Sequence, residues 1–202
     1  MEILFSDKEI VVCIKPVGMD SEQDVPQALQ QQLGGEIFTL HRLDKNVGGV
    51  MLYGRTKASA ARFSKLIQDG QLIKEYVALV HGTPPEEGDL TDLLWKDSSK
   101  NKVFVVKKER RGVKKARLEF LRLTEGEKSL VRIRLHTGRS HQIRVQFSSR
   151  GFPLVGDRKY SLLEDDCEIA LWSYRLAFSH PATGERMEFT LQPPEVYPWT
   201  AC

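Results

Sequence analysis

Cysteine is scarce in this chain. The three present, Cys13, Cys167 and Cys202, are odd in number and far apart. That excludes a disulfide framework and a cysteine-based metal site, and it fits a reducing compartment. Long hydrophobic runs are also missing: Val50-Met51-Leu52-Tyr53 is typical, far short of the ~20 apolar residues that a membrane helix needs. The opening Met1-Glu2-Ile3-Leu4-Phe5-Ser6-Asp7 has neither the basic start nor the apolar stretch of a secretion signal. There is no internal repeat, low-complexity tract or long linker. These absences predict a soluble, cytoplasmic protein, with residues 1–202 forming one domain. At 202 residues and 41% hydrophobic content, such a domain withdraws roughly 70% of its unfolded surface from water.

A strong net charge is lacking too, at +3 overall, but the distribution is uneven. Lys100, Lys102, Lys107, Lys108, Arg110, Arg111, Lys114, Lys115 and Arg117 face a single acid, Glu109, within one short stretch. Acids gather elsewhere, at Glu86-Glu87-Gly88-Asp89 and Glu164-Asp165-Asp166. A phosphate-backbone binder has this asymmetry. So does a solvated basic hairpin, and the run by itself fits both.

Residues 9–15 carry the apolar run Ile10-Val11-Val12-Cys13-Ile14 and read as a buried strand stopped by Pro16 and Gly18. Asp24 is the expected cap of a helix that Gly34-Gly35 ends. A strand is expected at Val50–Tyr53. Thr56 then caps a second helix with an apolar face of Ala60, Phe63, Leu66 and Ile67, ending at Gly70. Leu72–Val80 alternates as a strand, which sets Lys74 and Tyr76 on one face. Further strands are expected at 103–106, 118–123, 130–136, 174–179 and 187–191, with a helix over 140–150 and an insertion loop over 84–101. Short links and no regular βαβ period predict an α+β fold, with a mixed, largely antiparallel sheet, flanking helices and a central catalytic cleft.

Two clusters carry chemistry. In His41-Arg42-Leu43-Asp44-Lys45-Asn46-Val47-Gly48-Gly49, a carboxylate stands beside a histidine and an arginine. An arginine neighbour favours the ionised acid that a nucleophile or base requires, although an aspartate before glycines is often only a turn residue. In Thr137-Gly138-Arg139-Ser140-His141-Gln142-Ile143-Arg144, a strand turns into a helix start bearing Arg139, His141 and Arg144, a setting that attracts anions. Arg144 would lie about one turn into that helix, within reach of a carboxylate on a neighbouring strand.

Together with Lys74-Glu75-Tyr76-Val77-Ala78, these segments resemble the motifs of the RluA-type RNA pseudouridine synthases. Lys15-Pro16-Val17-Gly18, Pro153-Leu154-Val155-Gly156-Asp157-Arg158-Lys159-Tyr160 and Leu176-Ala177-Phe178-Ser179-His180-Pro181 agree in order, so the resemblance runs from about residue 9 to 191. It implies that Asp44 is the essential catalytic residue, that Tyr76 packs on the target base and takes part in proton removal, and that Arg144 pairs with Asp44. It implies further that Arg42 enters the space left by a flipped uridine. His41, Lys74, Arg139, His141, Lys107, Lys108, Arg110 and Arg111 are then expected to hold RNA. The implied partner is a structured RNA loop containing the target uridine, with no cofactor, metal, membrane or obligate protein partner. The chain departs from the family at Val47-Gly48-Gly49, where Thr-Ser-Gly is usual, and the expectation is a single catalytic domain with no S4-like module ahead of its first strand. A catalytically silent RNA-binding protein on the same scaffold is the alternative function. A glycoside or nucleoside hydrolase is disfavoured because no second, opposing acid motif is present.

Overall fold

A computed structural model describes residues 1–201. In chain order the strands and helices begin with β1 (Ile3–Ser6), β2 (Ile10–Lys15), α1 (Asp24–Leu33), β3 (Phe38–Thr39), β4 (Gly48–Gly54) and α2 (Lys57–Gln68). They continue with β5 (Ile73–His81), β6 (Glu87–Asp97), β7 (Lys102–Val106), β8 (Val113–Arg122) and β9 (Lys128–Leu135). Helix α3 (Gln142–Ser148), β10 (Leu171–Ser179) and β11 (Arg186–Thr190) complete the set. The chain forms two compact units: Met1–Lys74 with Trp172–Gln192, and Glu75–Leu171 with the C-terminal residues from Pro193 onward.

In the first unit β1 pairs antiparallel with β2, β2 with β4, and β10 with β11, while β4 and β10 run parallel, Gly48 opposite Trp172. All seven residues of β4 are buried, because helix α2 covers the face that a half-wet strand would show to solvent. The core joins Ile10, Val12, Val50, Leu52, Phe63, Leu72, Leu176 and Phe178. Phe63 meets Phe178 edge-on at 5.2 Å. Thr56 caps α2 as expected: its hydroxyl accepts from the Ser59 N–H at 3.0 Å, and the Ser59 hydroxyl oxygen accepts from the Thr56 N–H.

The second unit is a meander ordered β5-β9-β8-β6-β7, antiparallel at β9–β8, β8–β6 and β6–β7. Helix α3 packs Val145 against Leu94, Val103 and Ala116 on one face of this sheet, and Phe147 meets the Phe120 ring at 5.1 Å. The mixed, largely antiparallel α+β architecture is therefore the one the sequence predicts.

Four local expectations need correction. The stretch 84–101 holds the eleven-residue strand β6, not an insertion loop; only Leu90 and Leu94 of it are buried, so its alternation is too polar to read. Strand β1 was not anticipated, being short and half exposed. Asp24 is the first residue of α1 rather than its cap; Asp20 organises the preceding turn, accepting from the Glu22 and Gln23 N–H groups at 2.7 and 3.0 Å. The 140–150 helix shrinks to Gln142–Ser148, because His141 has a left-handed backbone with φ of 49°.

Candidate active site

In the first unit, Asp44 lies on a loop fixed at both flanks. The Leu43 backbone is held by Ser21: its N–H donates to Ser21 Oγ at 3.3 Å, and Ser21 Oγ donates to its carbonyl at 2.9 Å. Ser21 is fixed in turn by the buried Tyr53 hydroxyl, which donates to the Ser21 carbonyl at 2.8 Å. On the other side the fully buried Lys15 ammonium donates to the carbonyls of Lys45 and Val47, at 2.9 and 2.7 Å, and to Pro16 at 2.9 Å. The Gly18 N–H adds a second donor to the Lys45 carbonyl, and the Val47 N–H closes a turn on the Asp44 carbonyl, both at 2.9 Å. This is how a lysine at the end of an apolar strand escapes the cost of burying a charge: all three of its N–H donors are used. Burial nonetheless pushes Lys15 down to about 8, a drop that the carboxylates of Asp20, Asp44 and Asp24 partly oppose.

The residues before Asp44 are set by strand β4. His41 Nε2 accepts from the Leu52 N–H at 3.2 Å, which puts the ring proton on Nδ1. Nδ1 is buried and has no hydrogen-bond partner among the described residues. Burial, and then the nearby Lys74 ammonium, pushes His41 down to about 3. It is a neutral histidine. Arg42 points outward and pairs with Glu22 at 3.0 Å in an exposed bridge.

The departure from the family pattern has a structural partner. Val47 is buried, and a side chain at Gly48 would run into the ring of Trp172, the residue opposite it on β10. Gly49 has φ of 120° and lies against the Ser173 backbone, where no other residue fits. The missing serine hydroxyl is thus matched by an indole filling its place.

In the second unit, Tyr76 is buried on β5. Arg144, on α3, is clamped by Asp157, whose two carboxylate oxygens accept from Nε and a terminal nitrogen at 2.8 and 2.7 Å. The Asp157 side chain is fully buried and also accepts from the Lys159 and Tyr160 N–H groups. The guanidinium lies 5.2 Å from the centre of the Tyr160 ring. The Tyr160 hydroxyl accepts from the Val103 N–H at 2.7 Å and meets His141 Nδ1 at 2.8 Å. Arg139 donates to the Lys115 carbonyl at 2.9 Å. Thr137 and Gln142 tie this turn to Arg117 of β8. Lys107, Lys108, Arg110 and Arg111 are exposed on the turn between β7 and β8. Arg117, also part of the basic run, is neutralised by Asp89 across the sheet on β6 and by Glu119 two residues on along β8.

Sequence reading missed the supports: Ser21, Tyr53, Trp172, Asp157 and Tyr160, and the task of Lys15. Lys15, Asp157 and Tyr160 stood inside quoted motifs, so a signal existed; Ser21, Tyr53 and Trp172 gave none. Among the described residues, no group of three His, Cys, Asp or Glu side chains is arranged to hold a metal.

The fold has counterparts among known proteins. The model of the RNA pseudouridylate synthase family matches residues 9–149, and the chain belongs to that family, whose members are isomerases acting on RNA. It is 30% identical to the dual-specificity RNA pseudouridine synthase RluA of Escherichia coli, over 93% of this chain and 90% of that protein. It is 28% identical to ribosomal large subunit pseudouridine synthase D of Zymomonas mobilis, over 96% of this chain and 70% of that protein. The solved structure of human RNA pseudouridylate synthase domain containing 4 superposes with a TM-score of 0.80 at 24% identity, covering 96% and 89% of the two chains.

Proposed function

We propose that this RNA pseudouridine synthase uses Asp44 as its catalytic residue, with Tyr76 and Arg144 acting on the same uridine. The reaction breaks the N1–C1′ bond, turns the uracil and forms C5–C1′; the proton on C5 must then leave and N1 must gain one. Asp44 attacks the nucleoside or removes a sugar proton, Arg144 favours the carboxylate form, and Tyr76 stacks on the base and serves in the proton transfer. Residues 1–202 serve as one catalytic domain, a reading favoured by the family match at 9–149, which draws on both compact units.

The observation that carries this reading is the bracing of residues 43–47 by Ser21, Gly18 and Lys15. A mere turn residue needs no buried ammonium beneath it, whereas a reacting carboxylate must be held to a fraction of an ångström. The target uridine flips out of its stack, Arg42 takes the vacated space after leaving its weak surface bridge with Glu22, and stacking on Tyr76 repays part of a cost of a few kcal/mol. His41 and Lys74 shape the floor of the site; Arg139, His141, Lys107, Lys108, Arg110 and Arg111 contact the RNA.

The substrate is a structured loop of ribosomal or transfer RNA in the cytoplasm, a reading supported by two similar proteins whose names give such RNAs, the ribosomal large subunit pseudouridine synthase D of Zymomonas mobilis and a tRNA pseudouridine synthase C of Pasteurella multocida. No helix of the described residues is long and apolar enough to cross a membrane. Position-resolved pseudouridine mapping of total RNA, with and without this gene, identifies the target. Asp44→Asn should abolish the modification while leaving RNA binding intact. Wild-type rates in that variant would remove Asp44 from the chemistry and favour a silent RNA-binding role.

A further inference from the structure

The meander of the second unit has two faces, and α3 covers only one. On the other, Trp95 of β6 stands between Phe104 of β7 and Val113 of β8, each directly opposite it. Leu93, two residues back, is flanked in the same way by Val106 and Lys115. Directly paired residues share a sheet face, so these side chains form one strip. None of them is buried; Phe104 is 37% exposed. The Trp95 and Phe104 rings are 6.3 Å apart and inclined at 31°, open enough to offer two surfaces rather than one closed stack. The Arg110 guanidinium lies 4.6 Å from the centre of the Trp95 ring. A guanidinium resting on an aromatic face keeps its N–H fork free for an acceptor in the plane. Lys107, Lys108 and Arg111 are exposed around the same hairpin tip.

An apolar strip costs free energy in water unless something covers it, and the surrounding charge selects what can. A strongly cationic rim repels a second copy of itself and attracts a polyanion with flat, stackable groups. We propose that this face is a base-stacking platform for unpaired RNA: one base lies on Trp95 and Phe104, while Arg110 and Lys115 hold the adjoining phosphates. This rests on the RNA-modifying role above and adds a second point of base recognition, distinct in residues from Tyr76. Stacking reads no sequence, so the platform would select single-stranded over paired segments in the substrate.

The test compares binding of a fluorescein-labelled oligouridylate and of a blunt RNA duplex by wild type, Trp95→Leu, Phe104→Ala and Arg110→Ala. Each ring lost should weaken oligouridylate binding between about fivefold and a hundredfold, with duplex binding and the salt slope unchanged. Arg110→Ala should weaken both RNAs and shallow the slope. Phe104 is on an edge strand and half exposed, so its variant carries the test if Trp95→Leu does not fold. Unchanged oligouridylate affinity in Phe104→Ala overturns the platform, as does equal loss for both RNAs or a wild-type dimer that the ring variants dissociate. Pseudouridine formation by the same preparations separates the two levels: a wild type that modifies RNA while the ring variants bind normally loses the platform alone. A wild type that modifies no RNA loses the reading beneath it.

Discussion

Gly48 on β4 and Trp172 on β10 are complementary: the indole ring occupies the space that any side chain at position 48 would need. The ring is held there by its Nε1–H, which donates to the Leu191 carbonyl at 3.0 Å. The two residues are 124 apart in sequence and belong to parallel strands, so the loop bearing Asp44 begins its strand against a wall made by the far end of the chain. Gly48→Ser should therefore destabilise the protein by about 1–3 kcal/mol through overpacking, despite restoring the family's usual residue. Trp172→Leu in the same chain should recover most of that loss. Thermal melts of the two single variants and the double variant give the coupling directly, and additive losses would show that the ring can move aside.

Lys15→Met should lower the turnover number by at least tenfold with little change in the KM for RNA. It leaves the carbonyls of Pro16, Lys45 and Val47 without their shared donor, and so lets the Asp44 loop drift. Wild-type turnover should also fall above a pH of about 8, where the ammonium gives up one of its three donors. Stability moves the opposite way. The folded value of about 8 lies below the unperturbed 10.5, so between these limits the unfolded chain holds more protons and the lysine's contribution to stability rises with pH. Rate profiles and melts of wild type and variant across that window check both signs.

His41 gives the acid limb. Its folded value of about 3 lies below the usual 6.5, so its contribution is complete above 6.5 and is lost as pH falls toward 3, where the unfolded chain takes up a proton that the folded one refuses. The loss should approach ~4 kcal/mol at the acid end. His41→Gln can still accept from the Leu52 N–H and cannot protonate, so urea melts of this variant should show that component of the acid destabilisation removed.

Asp157→Asn should cost about 3–5 kcal/mol or most of the activity, because it strips a fully buried carboxylate from the Arg144 guanidinium. Arg144→Lys should rescue little: an ammonium cannot make the parallel pair of bonds or lie flat on Tyr160. Melting temperature and single-turnover pseudouridine formation separate the structural loss from the chemical one.

Much of the fold was readable wherever burial follows a regular period. Strand β2 announces itself as an unbroken apolar run, and the Thr56-capped α2 and the alternating β9 through side chains that repeat on one face. Strand β6 did not, because a strand with one face open to water and two buried leucines has the composition of a loop. His141 delayed the start of the predicted helix, since a left-handed residue there is invisible in composition.

The sequence by itself determined the family, the α+β class and the identities of Asp44, Tyr76 and Arg144 as the residues to watch. Those follow from local motifs and from periodicity, which are properties of neighbours along the chain. Only the tertiary structure decided what holds them. Lys15 beneath residues 45 and 47, Ser21 beside residue 43 with Tyr53 holding Ser21, Asp157 on Arg144, and Trp172 in the space above Gly48 all act across 13 to 124 residues of chain. Such contacts depend on how buried polar groups and ring volumes are satisfied after the strands have paired, and no local pattern records that.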